Sequence, residues 1–309
     1  MFKKNLIIFL IFFSSHLLAS PSIAIITNQG EDSLAIVDLD QMKVIKKIET
    51  DNSPLAIQFI NNNRAVISNT KSQSLQVLDE KQLKIIKQLD IGFTPLGMIF
   101  VESNNKLYVS SWFESLIYIF DTNSWKITGT INVGKTPSGI VYNTAHELII
   151  SANRDENVVQ IIKNDNVIKT IPVGEHPFGV FTEGNYAYSV NVYSNTVTEI
   201  NLNNFKTVTF KVGSHPYNLV RYKENIYVTN TQDDTVSVID AKTKLIKLSL
   251  KTGGVPENID IDIGNNYLVV TSWGDDCISI FNLDRMKLIK HIPTGKESRS
   301  FGKFINTKR

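Results

Sequence analysis

Short apolar runs of five or six residues, each closed by polar turn residues, follow one another along nearly the whole chain. The pattern is plainest at residues 226–256. A run at 226–230 and a second at Thr235–Asp240 read as strands, a Lys-flanked third run follows, and a Gly-x-x-Pro turn ends the unit.

That unit recurs seven times. Its proline falls at Pro54, Pro95, Pro137, Pro177, Pro216 and Pro256, with Ser298 in the seventh place, at spacings of 41, 42, 40, 39, 40 and 42 residues. One run of each unit ends at Asn28, Asn69, Ser111, Ala152, Asn191, Asn230 or Ser272. The next run ends ten residues later in every unit, at Asp38, Asp79, Asp121, Ile162, Asn201, Asp240 or Asn282, so the turn between the two has one length throughout. Runs such as 116–120 and 158–162 are almost wholly apolar, the pattern of strands covered on both faces. A period near 40 residues with about four strands per unit predicts an all-β fold, a seven-bladed β-propeller of four-stranded blades.

The position two after each anchor is small (Ala56, Gly97, Gly139, Gly179, Asn218, Asn258, Ser300), as expected where innermost strands crowd a central axis. Outermost runs carry lysines (Lys46, Lys47, Lys84, Lys87, Lys247, Lys251), which discourage edge-to-edge pairing. Ring closure is legible too. The first unit lacks an innermost strand before Ile23–Asn28, and residues 300–305 form an innermost-type run with no partners after it. The C-terminal run is therefore expected to pair in the first blade and seal the ring.

The first 20 residues stand apart: Lys3 and Lys4, an apolar run at 6–13, then Leu18-Ala19-Ser20. They read as a secretory signal peptide and imply a periplasmic or secreted protein, with residues 21–309 as one propeller domain. No membrane span is expected after cleavage. Without that segment 30 basic residues face 30 acidic ones, a neutral chain with no strong nucleic-acid signal. Cys277 is the single cysteine, so no intrachain disulfide can form and the core must carry the stability.

Tyr227-Val228-Thr229-Asn230 followed by Thr235–Asp240, together with Val133-Gly134-Lys135-Thr136-Pro137 and its equivalents, resembles the repeat of YVTN-family β-propeller proteins. The resemblance covers essentially the whole mature chain. It implies a propeller of extracytoplasmic type, among whose relatives are binding proteins, lactonases, lyases and dehydrogenase subunits. It does not choose among those chemistries.

The loops after the second strands and the Gly-x-x-Pro loops should open on one face, over the mouth of the central channel. The first set presents Trp112, Phe113, Asn153, Arg154, Val192, Tyr193 and Trp273; the second presents His176, Phe178, His215, Tyr217, Glu257 and Arg299. Trp112 and Trp273 occupy one repeat position, where Gln29, Thr70, Asn153, Val192 and Thr231 stand elsewhere, and two indoles on a face would stack a flat ligand. His176 and His215, one blade apart, are candidate acid/base groups or ligands with Glu257 as a third. Arg154 and Arg299 are candidates to orient a carboxylate or phosphate.

Glu31-Asp32, Asp155-Glu156, Asp233-Asp234 and Asp275-Asp276 sit at separate turn tips, where an acid caps its own backbone, so no structural calcium is expected. No Cys-x-x-Cys-His is present for covalent c-type haem, nor a Gly-x-Ser-x-Gly elbow, nor a P-loop. The expected function is a scaffold that binds a protein or small ligand on the mouth face. The alternative is a periplasmic enzyme or redox subunit using His176 and His215.

Overall fold

The computed structural model describes residues 22–61 and 63–306. The expected signal peptide lies outside the described residues. What they form is a ring of seven antiparallel sheets. Blade 1 comprises Ile23–Asn28, Ser33–Asp38 and Lys43–Glu49, completed by Ile305–Asn306; blades 2 to 7 begin at Pro54, Pro95, Pro137, Pro177, Pro216 and Pro256. Each of those six runs innermost to outermost through four consecutive strands. Blade 2 gains a fifth, the two residues Phe301–Gly302.

The core is a set of seven apolar clusters, one at each blade-to-blade seam. Leu148, Ile150 and Ile161 of blade 4, for example, meet Val180, Ala187 and Ile200 of blade 5. Blades covered on both faces account for the near-continuous apolar runs of the middle strands. The outermost strands bury one residue in several, and Lys46, Lys47, Lys84 and Lys87 face water as expected.

All seven anchors pair with the last residue of the second strand: Pro54 with Asn69, Pro95 with Ser111, Pro216 with Asn230, and so on round to Ser298 with Asn28. The pairing corrects the register expected for blade 4. Pro137 lies opposite Asn153, so the second strand is Leu148–Asn153 and the third Val158–Lys163, one residue beyond the ends at Ala152 and Ile162 read from the apolar pattern.

After each of the six proline anchors the innermost strand slips by one residue, as between Pro95↔Ser111 and Met98↔Val109. The slip leaves one backbone N–H without a ladder partner, and a hydroxyl near the end of the second strand takes it. Ala56, Gly97, Asn218, Asn258 and Ser300 donate to Ser68, Ser110, Thr229, Thr271 and Thr27 over 2.7–3.1 Å. The same hydroxyls donate to a carbonyl of the next blade: Thr27 to Leu55, Ser110 to Ser138, Thr229 to Glu257, Thr271 to Arg299. Blade 4 has Ala152 at this place, and Ser138 bonds across to Phe178 instead. The innermost strands run so close that a Cβ on Gly139 or Gly179 would lie 2.5 Å from the next blade's Phe178 or Tyr217 carbonyl, which explains the small residues there.

The ring closes as expected, with one irregularity. Ile305 pairs with Ala24, but between that pair and Ser298↔Asn28 the register slips by three residues rather than one. The surplus, Phe301 and Gly302, is pushed off blade 1 and runs parallel to Ala56 and Ile57 of blade 2. Gly302 has φ +100°, and a Cβ there would sit 2.7 Å from the Ile57 carbonyl, so only glycine fits. Beyond it, the backbone N–H groups of Phe304 and Ile305 both donate to the Asp260 carboxylate of blade 7, at 3.0 and 2.9 Å.

Two outcomes follow from these contacts. Thr229→Val strands the Asn218 N–H and the Glu257 carbonyl, and should cost about 1–3 kcal/mol in urea denaturation. Burial pushes the Asp260 carboxyl up to about 6, against the pull of Lys303 and the backbone donors. Its folded pKa lies above the ordinary 3.8, so its contribution is full below that value and lost as pH rises to about 6. The melting temperature of wild type relative to Asp260→Asn should therefore fall as pH rises from 4 to 7. A difference flat with pH would show that Asp260 is not held near 6.

Candidate functional site

Backbone bonds set the two loop sets side by side on one face. The N–H after the second strand donates to the carbonyl before the anchor: Trp112 to Thr94, Arg154 to Thr136, Val192 to His176, Thr231 to His215, Trp273 to Val255. Arg154, rather than Asn153, is thus the blade 4 counterpart of the two tryptophans.

The anchor loops are tilted by left-handed backbone just before the proline, at Ser53, Thr136, His176, His215, Val255 and Glu297. Carbonyl oxygens of Asx side chains hold several of them from the preceding blade. Asp32, Asn157, Asn195, Asp234 and Asp276 accept from the N–H of Ser53, His176, His215, Val255 and Glu297 over 2.7–2.9 Å. The neighbouring acids Asp233 and Asp275 do the same for Ser214 and Gly254 in their own blade. These acids therefore brace neighbouring loops, a correction to the expectation that each caps its own turn.

Over this frame lies a chain of rings. Phe113 meets Trp112 edge-on, with centroids 6.2 Å apart, and Trp112 meets Phe178 at 5.9 Å. Phe178 continues to Tyr217 at 4.3 Å and to Phe301 at 5.2 Å. The surplus residue of the closing strand thus roofs the channel with Phe178 and Tyr217, and Phe301 is 5% exposed. Phe113 and Tyr193 stand out, 79% and 53% exposed. Trp112 and Trp273 share the face but are half-buried, and Trp273 takes no part in the ring chain.

The Arg154 guanidinium covers Trp112 at 5.7 Å and donates from Nε to His176 Nδ1 at 3.1 Å. With Nδ1 accepting, the imidazole proton is on Nε2. His176 stacks on Tyr193 at 4.0 Å, and His215 lies 5.7 Å from the same ring. Tyr193 is thus a common neighbour of the two imidazoles expected to converge.

Glu257 is not their third partner. It is 5% exposed and held by Arg299 through two bonds, 2.5 and 2.6 Å, while Arg299 Nη1 donates to Gln29 at 2.7 Å. Among the described residues no three His, Cys, Asp or Glu side chains are grouped as a metal would require. Arg299 is therefore tied into a buried pair, while Arg154 lies along the ring chain. Burial, then the Glu257 charge, pushes the Tyr217 hydroxyl well above the usual phenol range, so it stays protonated. Cys277 is buried at the start of its strand, its thiol pushed up to about 11 by burial and then by Asp275, as suits a packing residue.

No family model matches the chain, and no curated protein matches it in sequence. Solved structures do. A functionally unknown protein from Desulfotomaculum acetoxidans DSM 771 is similar at TM-score 0.77 and 15% identity, over 92% of this chain and 98% of that one. The dihydro-heme d1 dehydrogenase NirN, in complex with DHE, is similar at TM-score 0.72 and 11% identity, over 92% and 76%. The computationally designed Ika8 protein follows at TM-score 0.68 and 12% identity, over 90% and 89%. At such identities the likeness is one of fold, and it joins the seven seams in defining the class as a β-propeller.

Arg299→Ala would leave Glu257 buried without its counter-charge and should cost about 3–5 kcal/mol in chemical denaturation. Adding Glu257→Gln should recover much of that loss. A single variant as stable as wild type would show the pair to be unimportant.

Proposed function

We propose that this is an exported β-propeller of YVTN-repeat type that binds a partner on its channel-mouth face. The observation that carries the reading is the ring chain Phe113–Trp112–Phe178–Tyr217, with exposed Phe113 at one end and exposed Tyr193 on the blade of Phe178. Rings anchored in a rigid frame, with their outer members in water, are what a binding hot spot needs. Arg154, lying over Trp112, adds a cation that can pair with an acidic group of the partner. Because Phe301 roofs the channel, the surface suits a protein or peptide better than a deeply enclosed small molecule.

A second reading is an enzyme or redox subunit, carried by the half-buried imidazoles of His176 and His215 on the same face and by the likeness of fold to NirN. The protein as isolated and after incubation with haem separates the two. A bound chromophore lost in His176→Ala and His215→Ala would favour the enzyme reading.

The binding reading predicts that a photo-crosslinking side chain at position 113 yields discrete protein adducts, and one at the outer-edge position 168 does not. Trp112→Ala and Tyr193→Ala should each weaken the purified adduct partner at least about tenfold. Unchanged affinity in both would remove the mouth face from the function.

A further inference from the structure

On the opposite face, each third-to-outermost turn normally closes the seam toward the preceding blade. A residue at or one before the end of that turn is left-handed, and its side chain reaches the seam: Met42, Leu83, Trp125, Phe205 and Met286 pack against five of the clusters. At the seam of blades 5 and 6 the place belongs to Lys244, which pairs with Glu199 and lies over the Phe210 ring.

Blade 4 alone breaks the rule. Its third strand ends at Lys163 and its outermost begins at Asn166, leaving only Asn164 and Asp165, both left-handed, in a two-residue hairpin. The residue that would cover the seam is missing, and a cavity of about 350 Å³ opens there between blades 3 and 4.

The cavity is built from more than a gap. Tyr108, Tyr142 and Ile149 line it, and Lys106, Glu147 and Asp165 supply its charges. Asp165 turns inward to accept from the Tyr108 hydroxyl at 2.8 Å and from Lys106 at 2.9 Å. Its size falls in the range of small-molecule sites.

We infer that this cleft is a binding site for a neutral, polyhydroxylated ligand of the saccharide class. An anion would face Asp165 and Glu147, and a cation would face Lys106. A ligand of hydroxyl groups satisfies both sets, donating to the carboxylates and accepting from the ammonium, while tyrosine rings cover its apolar side. The inference is independent of the mouth face.

Calorimetric titration of the folded protein with maltose, cellobiose and chitobiose tests it, with spermidine and citrate as charged probes. Saturable binding of at least one disaccharide is expected. Asp165→Asn and Tyr142→Ala should weaken it at least about tenfold, and Phe113→Ala on the far face should leave it unchanged. Replacing Asn164-Asp165 with the four-residue turn 122–125 of blade 3 should abolish it by restoring a tryptophan cover. Should that variant fail to fold, Asp165→Asn decides. The inference is overturned if no disaccharide binds, if binding survives Asp165→Asn and Tyr142→Ala, or if only spermidine or citrate binds.

Discussion

Apart from Phe301 and Gly302 lying against blade 2, no strand ladder joins one blade to the next among the described residues, so side chains must fix each blade against its neighbour. At five of the seven seams one hydroxyl takes much of that burden, while Ala152 and Val190 hold the place in blades 4 and 5. Thr27, Ser68, Ser110, Thr229 and Thr271 each accept an N–H freed by the slip after the anchor and donate to the next blade's carbonyl. Both partners are backbone groups buried beside the axis, where an unmet bond is expensive. The third letter of Tyr-Val-Thr-Asn is thus an inter-blade fastening. The fourth ties its own blade: Asn230 donates to Thr235 and Ser237, as Asn69 does to Ser74.

That constraint separates the two faces. At the mouth, Asx side chains and hydroxyls lock successive loops together, so the rings of Trp112, Phe178 and Tyr217 sit on a braced platform. On the far face side chains reaching from turns cover most seams, beside polar links such as Asn143 to Thr182 and Asn265 to Asp40. A change of two residues in turn length, tolerated by every strand pairing in blade 4, is enough to open one of them. Rigidity on one side and variable covers on the other arise from the same repeat.

Architecture was legible because period, anchor and small axial residue each have one physical cause, and they agree. The exception is informative. Blade 4 lacks the seam hydroxyl, and Ala152 made the strand look one residue short; only the antiparallel partner of Pro137 locates its end at Asn153. The closing run was also recognisable, yet residues 301 and 302 fit the innermost pattern while belonging to no ladder of blade 1. Among site residues, the shared place of Trp112 and Trp273 followed from register. The fate of Glu257 did not, because its partner Arg299 lies 42 positions away and the choice between ligand and salt bridge depends on side-chain direction. For the same reason loop spacing did not foretell that Tyr193 would neighbour both His176 and His215.

The irregular closing strand ties fold to use. A closing run of regular register would leave Phe301 in the blade 1 ladder and the axis open beneath the mouth. The three-residue slip instead delivers that ring to Phe178 and Tyr217, and the Asp260 carboxylate catches the backbone as it returns to blade 1. A roofed axis cannot bury a ligand deeply, so the proposed binding at the mouth would draw on rings that stay partly in water and on the exclusion of water around them. The cleft of about 350 Å³ lies where a turn was shortened. The two proposed sites, a flat aromatic surface and a polar cleft, then have separate structural origins, and a substitution in one leaves the other's frame intact.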